Sequence, residues 1–213
     1  MEVYALRSLS GEWKNGPLSW RHSDDPCGNW DGVNCSNSIR VTELDFSNNK
    51  YLNGQLPPSI GNLKKLQTLI LIGCKFSGTI PVELDEEQES DDSHLNLCHR
   101  SLNANHFTSR IPASLGRLAD LVCSSMNVKH ILLDSNNLSG VIPESIGLLQ
   151  KLEVLRLDRN NLIGLVPQSI SNLTRLKVLN FANNELTGMI PNMTGMHALY
   201  NLDLSNNSFD PSE

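Results

Sequence analysis

A short motif recurs along this sequence at nearly constant intervals. The motif is Gly-x-Ile/Leu/Val-Pro, with Ser109 in place of one glycine, and it ends at Pro57, Pro81, Pro112, Pro143, Pro167 and Pro191. Successive prolines are therefore 24, 31, 31, 24 and 24 residues apart. Self-similarity with a period of about 20 to 50 residues indicates a repeat architecture, in which each unit buries its apolar face against its neighbours.

A second landmark has the same period. Each L-x-x-L-x-L-x-x-N block ends in asparagine, or once in cysteine, at Asn49, Cys74, Asn105, Asn136, Asn160, Asn184 and Asn207. Within one block, Leu155 and Leu157 alternate inward at the period of a strand, which leaves Arg156 facing outward. The amide of Asn160 can donate and accept hydrogen bonds in the turn that follows. The two landmarks predict seven leucine-rich repeats over residues 41–213.

The first 40 residues do not follow the repeat. Val3, Leu6, Leu9 and Trp13 recur at helical spacing and predict an amphipathic helix. A solenoid has to cover its first open coil, so residues 1–40 are assigned to an N-terminal cap.

Two cysteines, Cys27 and Cys35, lie eight residues apart in this cap. A zinc site would need two further ligands, and only His22 is close in the sequence. A disulfide bond is therefore the favoured interpretation, and it implies an oxidising compartment. The remaining cysteines are interpreted as buried or fortuitous free thiols: Cys74, Cys98 and Cys123.

Composition and motif searches exclude several classes of function. The formal net charge is −6, and six acidic residues fall in the run 85–92, so the rest of the chain is balanced and no nucleic-acid-binding surface is expected. No stretch approaches the roughly 18 consecutive apolar residues of a membrane span, so we expect no direct membrane insertion by this chain. Nucleotide-binding, hydrolase, metalloprotease and kinase motifs are missing, which predicts a non-enzymatic chain without cofactor or metal.

The cap and the repeats together resemble the ectodomain of plant leucine-rich-repeat receptor-like kinases. The resemblance rests on the 24-residue units and on the cap motifs Asp25-Pro26-Cys27-Gly28 and Trp30-x-Gly32-Val33-x-Cys35. The stretches 152–160 and 206–212 are similar to one branch, subfamily VIII. The resemblance implies an α/β repeat fold: a right-handed leucine-rich-repeat solenoid with short parallel strands on the concave face and a helical N-terminal cap. It also implies a parent protein with a transmembrane helix and a cytoplasmic serine/threonine kinase.

Five features depart from the family pattern. Seven extra residues precede the third and fourth repeats, at about 85–96 and 119–127, and they are interpreted as specialised loops or, preferably, as damaged units. Arg100 occupies an inward leucine position, and Ser109 replaces a turn glycine. No signal peptide fits before the cap helix and no closing cysteine pair follows the last repeat. We therefore expect an N-terminal fragment of a longer receptor, on the apoplastic side of the plasma membrane.

Five sequons are present, and they differ in their predicted position. Those on outer turns are predicted to carry glycans if the chain is secreted: Asn137, Asn172 and Asn192. Asn34 lies within the cap, and Asn206 follows a concave strand where a glycan would obstruct a partner, so both are ranked lower.

The outward strand positions form columns across the concave face, and their charges concentrate in the fourth to sixth repeats. Glu153 belongs to this group of charges, and ligand-binding roles are predicted there for Lys129, His130, Asp134, Arg156, Asp158, Arg159 and Lys177. Exposed arginines suit a peptide or protein loop, because Arg binds a carboxylate through two parallel hydrogen bonds. The alternative is a solvated face whose charges only maintain solubility. Replacing Arg156 and Asp158 with Ala is expected to weaken binding and leave the fold intact, because both side chains are expected to point away from the core.

The sequence thus predicts an extracellular module that perceives a signal by binding a peptide, a protein ligand or a co-receptor on its concave or lateral face. The alternatives are a secreted leucine-rich-repeat inhibitor and a scaffold protein without a kinase.

Overall fold

The repeats fold into a solenoid of stacked coils, as predicted. The computed structural model describes residues 2–22, 24–36, 40–84, 99–115 and 128–211. The insertions expected at 85–96 and 119–127, and with them Cys98 and Cys123, lie outside the described residues.

Short strands recur once or twice in every coil. In chain order they are β1 (Val33–Ser36), β2 (Arg40–Asp45), β3 (Asn53–Gln55), β4 (Thr68–Ile70), β5 (Lys75–Gly78), β6 (His99–Ser101), β7 (His106–Phe107), β8 (His130–Leu132), β9 (Ser139–Gly140), β10 (Val154–Arg156), β11 (Asn161–Leu165), β12 (Val178–Asn180), β13 (Glu185–Gly188), β14 (Asn201–Asp203) and β15 (Ser208–Phe209).

The strands form one large sheet on the concave face and two smaller lateral sheets. Within the described residues, the large sheet has eight strands in the order β1-β2-β4-β6-β8-β10-β12-β14. Only its first pair, β1 with β2, is antiparallel among these strands; the others are parallel. The lateral sheets have the orders β3-β5-β7 and β15-β13-β11-β9. Each repeat therefore places equivalent side chains side by side along the stack.

The helices lie in the cap and on the outer side of the coils. The cap contains α1 (Glu2–Glu12), α2 (Ser19–His22) and α3 (Pro26–Asn29). Among the described coils, short 3-10 helices follow the motif prolines at Pro58–Asn62, Val82–Leu84, Glu144–Leu148 and Gln168–Asn172. Proline suits the position before such a helix because its φ is fixed and because no backbone N–H is needed there for strand pairing.

The cap closes the first coil with aromatic side chains. Trp13 lies 4.9 Å from Phe76 and 5.5 Å from Phe46 between ring centroids, and its indole Nε1 donates to the carbonyl oxygen of Gln55 at 2.8 Å. Cys27 and Cys35 are joined by a disulfide bond, which was the favoured interpretation of the sequence.

Asparagine side chains tie neighbouring coils together. The Asn160 Nδ2 donates to the carbonyl oxygens of Leu133 and Leu157, both at 3.0 Å, and its Oδ1 accepts from the backbone N–H of Leu138 at 3.0 Å. One side chain thus satisfies three backbone groups, two of them in the preceding coil. At the equivalent position the buried Cys74 places its Sγ 3.2 Å from the carbonyl oxygen of Phe46, and burial raises the pKa of this free thiol to about 11.

The third coil contains two of the departures that the sequence indicated, Arg100 and Ser109. Arg100 is 2% exposed and lies in register between Leu69 and Ile131, which are fully buried. Its Nη2 donates to the carbonyl oxygen of Leu84 at 2.7 Å. Ser109 has φ +76°, in the left-handed region that favours glycine.

Candidate ligand-binding face

The concave sheet sets the position of the candidate residues. Arg156 ends β10 and lies in register between Leu132 of β8 and Asn180 of β12. Its neighbours in the chain, Leu155 and Leu157, are fully buried, so Arg156 faces outward as predicted.

Four charged residues come together next to this strand and form what we term the arginine–aspartate cluster: Asp134, Arg156, Asp158 and Arg159. The Arg159 Nη2 lies 2.9 Å from Asp158 Oδ2 and 3.3 Å from Asp134 Oδ2. The Arg156 Nε lies 3.3 Å from Asp158 Oδ1 and 3.8 Å from Asp134 Oδ1. Two cations and two anions therefore balance within the cluster.

Asp158 was expected on the outward side of the chain, but the structure buries its carboxylate under the two arginines. Asp158 is fully buried and Asp134 is only 5% exposed, whereas the side chains of Arg156 and Arg159 remain 39% and 54% exposed. The carboxylates are buried because the guanidinium groups of Arg156 and Arg159 cover them. Asp134 and Asp158 are therefore not available for direct contact with a large ligand, and they contact the two arginines instead.

Burial also changes the protonation of the cluster. Burial raises the pKa of the Asp134 carboxyl above its ordinary value, and the nearby Asp158 charge adds to this effect. The guanidinium groups of Arg156 and Arg159 oppose it by stabilising the ionised carboxylate.

A second group of charges lies beside the first. The Glu153 carboxylate is placed between Lys177, whose Nζ is 2.6 Å from Oε2, and Lys129, whose Nζ is 3.4 Å from Oε1. The hydrogen bond from Lys177 lowers the pKa of Glu153, and the same contact raises the pKa of Lys177. Because two lysines share one glutamate, this group carries a net positive charge.

The structure adds one residue that the sequence did not nominate. The Arg159 Nε donates to Ser135 Oγ at 2.7 Å, which fixes the guanidinium from a third side. Arg159 and Ser135 occupy equivalent positions in consecutive repeats, and both have positive φ, at 54° and 57°. An alignment of the repeats could have identified Ser135, because the residue before each repeat asparagine recurs in the same turn: Ser135 precedes Asn136 as Arg159 precedes Asn160. His130, which the sequence analysis also predicted to bind ligand, is half-buried on β8 and lies in register with Val154.

Arg156 keeps hydrogen-bond donors unused within the arginine–aspartate cluster of the described chain. Its Nε donates to Asp158, but within the described part of the chain its two terminal nitrogens make no hydrogen bond. A guanidinium held through Nε leaves its fork of terminal N–H groups for an external anion.

The family models match most of the chain. The leucine rich repeat N-terminal domain matches residues 1–36, and leucine rich repeat models match residues 40–63, 65–86, 126–186 and 150–209. The chain belongs to the leucine-rich-repeat family. The described helices of this leucine-rich-repeat protein include none that is long and apolar enough to cross a bilayer.

Curated relatives are plant receptor kinases. Receptor-like kinase TMK4 of Arabidopsis thaliana is 34% identical over 77 residues, which are 36% of this chain and 8% of the relative. The LRR receptor-like serine/threonine-protein kinase EFR of the same organism is 45% identical over 64 residues, 30% of this chain and 6% of the relative. The matched segments thus span a small part of those relatives. The subfamily VIII assignment stays a prediction.

Solved structures with the same fold include receptor ectodomains. The PEPR1–AtPEP1 structure has a TM-score of 0.82 at 33% identity and covers 97% of this chain and 28% of that chain. The BIR3–SERK2 complex from Arabidopsis thaliana has a TM-score of 0.67 at 26% identity, covering 87% and 95%. A plant ice-binding protein has a TM-score of 0.78 at 27% identity, covering 97% and 71%. The fold is therefore shared by receptor proteins and by an ice-binding protein.

Proposed function

We propose that this leucine-rich-repeat protein is an extracellular ligand-binding module of a plant receptor-like kinase. The curated relatives are receptor kinases, and one similar solved structure is a complex of PEPR1 with AtPEP1. By this proposal the chain is a binding module without catalysis of its own, and its seven repeats follow a cap at residues 1–40.

The ligand lies on the concave face over the fourth to sixth repeats. The observation that carries this placement is the state of Arg156: its Nε is held by Asp158, its side chain is 39% exposed, and its terminal nitrogens make no hydrogen bond within the described residues. A preorganised guanidinium loses little side-chain freedom on binding, so it favours a planar anion such as a peptide carboxylate. Lys129 and Lys177 add positive charge nearby and favour the approach of the same anionic group.

Neighbouring positions suit the rest of a peptide. Ile70 and Leu132 are half-buried in the same outward column as Arg156, and Val154 and Val178 are half-buried in the adjacent column. An extended segment with an acidic group and apolar side chains would match this arrangement, because pockets for alternate side chains provide specificity.

The proposed glycan positions leave this face open. Asn137, Asn172 and Asn192 are exposed. Two lower-ranked sequon asparagines already use their amide nitrogen, since Asn34 Nδ2 donates to Glu43 at 2.7 Å and Asn206 Nδ2 donates to Asn183 at 2.9 Å. Glycosylation at either of these two would have to break that contact.

Capture of peptides from plant apoplastic fluid tests the proposal. Wild-type protein, Arg156→Gln and the matched control Arg175→Gln would be immobilised separately, and the retained peptides identified by mass spectrometry. Arg175 is an exposed arginine outside the cluster. We expect wild type and Arg175→Gln to retain the same peptides and Arg156→Gln to lose them by at least about tenfold, equivalent to about 1.4 kcal/mol. Equal retention by all three proteins would place the ligand elsewhere.

A further inference from the structure

A patch of apolar side chains is exposed on the lateral surface of the fourth to sixth repeats. Val141 is 53% exposed, Ile163 45%, Leu165 63% and Met189 74%. Val141 directly follows β9, Ile163 and Leu165 lie on β11, and Met189 directly follows β13. We term these four residues the lateral apolar patch. Large apolar side chains scattered singly over a surface are ordinary, but a contiguous group marks an interaction site.

Three of the four patch residues share one groove. Val141, Leu165 and Met189 line this groove along the stack together with Pro143 and Pro167, and Ile163 lies two residues before Leu165 on the same strand. The Val141 side chain lies against Gly164 of the next coil, and a Cβ built on Gly164 would stand 3.0 Å from Val141 Cγ1. Leu165 covers Gly188 in the same way.

The same position is polar in the preceding repeats. Gln55, Thr79 and Arg110 stand where Val141, Leu165 and Met189 stand later in the chain. The repeat geometry therefore does not require an apolar residue at this place, since a polar side chain over the glycine serves equally well. The change to three apolar residues is a local feature of the fourth to sixth repeats.

Acidic side chains border the patch. Glu144 and Asp210 line the same groove, and Glu185 lies directly opposite Ile163 in the register of β11 and β13. Within the described residues, none of these three carboxylates makes a hydrogen bond or an ion pair, and no lysine or arginine lines this groove. This border differs from the arginine–aspartate cluster, where every carboxylate has a cation beside it.

We propose that the lateral apolar patch is a docking surface for an amphipathic segment of a partner protein, with apolar residues flanked by lysine or arginine. The apolar side chains of that segment cover the patch, and its cations pair with Glu144, Glu185 and Asp210. Charge complementarity selects this occupant, because rim charges choose partners even where their contribution to affinity is small. A second copy of this chain is a poor occupant, since it would place like carboxylates opposite each other. The surface is separate from the proposed concave ligand site and does not depend on it.

Two synthetic peptides of about 14 residues provide the probes, one of leucine and lysine and the other of leucine and glutamate, both arranged as amphipathic helices. Fluorescence anisotropy would measure their binding to wild type, Leu165→Ser/Met189→Ser, and the control Val82→Ser, which removes an exposed apolar residue outside the patch. We expect the lysine peptide to bind wild type and Val82→Ser alike, and the double variant at least about tenfold more weakly.

A second pair of variants tests whether the acidic residues that border the patch contribute to binding, or only the overall negative charge of the protein. Glu144→Gln/Asp210→Asn should weaken binding of the lysine peptide, whereas Glu12→Gln/Asp24→Asn, with the same loss of charge on the cap, should not. Equal binding by both pairs, tight binding of the glutamate peptide, or unchanged affinity of Leu165→Ser/Met189→Ser would each overturn the proposal. Dimerisation of wild type in sedimentation experiments that is lost in Leu165→Ser/Met189→Ser would also overturn it, in favour of a second copy. Arg156→Gln leaves these affinities unchanged if the two surfaces are independent.

Discussion

In the described part of this solenoid three charged residues are buried, and two of them, Arg100 and Asp158, are held in different ways. Arg100 replaces an inward leucine in the third repeat and lies between the buried side chains of Leu69 and Ile131. Asp158 lies under the concave face of the fifth repeat, where it contacts Arg156 and Arg159. The first charge interrupts a column of apolar core residues, whereas the second supports side chains that remain exposed. Burial alone therefore does not indicate what a charged residue contributes; its neighbours do.

The largest expected effect follows from removing the supporting carboxylate. Asp158→Ala should lower the free energy of unfolding by about 2–3 kcal/mol, because it removes charge-assisted hydrogen bonding at a fully buried position. The value stays below that of a wholly buried ion pair because both arginines can turn to solvent. Urea unfolding measures the change, with Asp210→Ala as an exposed control expected to stay within about 0.5 kcal/mol. A decrease in the free energy of unfolding as small as that of the control would mean that Asp158 does not stabilise the fold.

A change of stability of the opposite sign is expected at the buried Arg100. Arg100→Leu restores the inward leucine of the repeat and should raise the free energy of unfolding by about 1 kcal/mol, since well-packed apolar residues often replace buried ions without loss. The same urea experiment measures it, with the exposed Arg110→Leu as the matched control. A clear loss of stability would show that the contacts of Arg100, including the 2.7 Å bond to the carbonyl oxygen of Leu84, have become structural.

The turn of the third repeat offers a smaller change of the same kind. Ser109 has φ +76°, and Gly78 and Gly164 have φ +78° at the equivalent position. Ser109→Gly should raise the free energy of unfolding by about 0.5–1 kcal/mol, because relief of backbone strain exceeds the entropy lost by glycine. Ser139→Gly, in a strand without positive φ, should destabilise instead. The prediction fails if both substitutions have the same sign in thermal unfolding.

The pH dependence separates the two groups of charges on the concave face. The pKa of Asp134 is raised on folding, so its contribution to stability is fully present below its unfolded value of about 3.8 and is lost as pH rises through the folded value. The pKa of Glu153 is lowered, so its contribution is present above its unfolded value of about 4.5 and is lost as pH falls through the folded value. Unfolding of Asp134→Asn and Glu153→Gln between about pH 3 and 7 should remove pH dependences of opposite sign. Parallel pH profiles would contradict these assignments.

The sequence predicted the repeat fold well because the same pattern of residue types recurs from repeat to repeat. The inward direction of Leu155 and the outward direction of Arg156 follow from strand alternation, and the hydrogen bonds of Asn160 follow from its amide. The burial of Asp158 did not follow, because it depends on two arginine side chains that cover the carboxylate, and alternation gives only the direction of a side chain and not what covers it. The support of Arg159 by a serine of the preceding coil depends on the stacking of coils, which no single repeat displays.

The central claim is that the buried carboxylates of the concave face hold its exposed arginines in place, and a double-mutant cycle tests it most directly. Unfolding free energies would be measured for wild type, Asp158→Ala, Arg159→Ala and the double variant. Because Asp158 and Arg159 are in contact at 2.9 Å, we predict a coupling energy of about 1–2 kcal/mol, with the double variant less destabilised than the sum of the single ones. Additivity within about 0.3 kcal/mol would show that the aspartate and the arginine are independent, and would contradict the account.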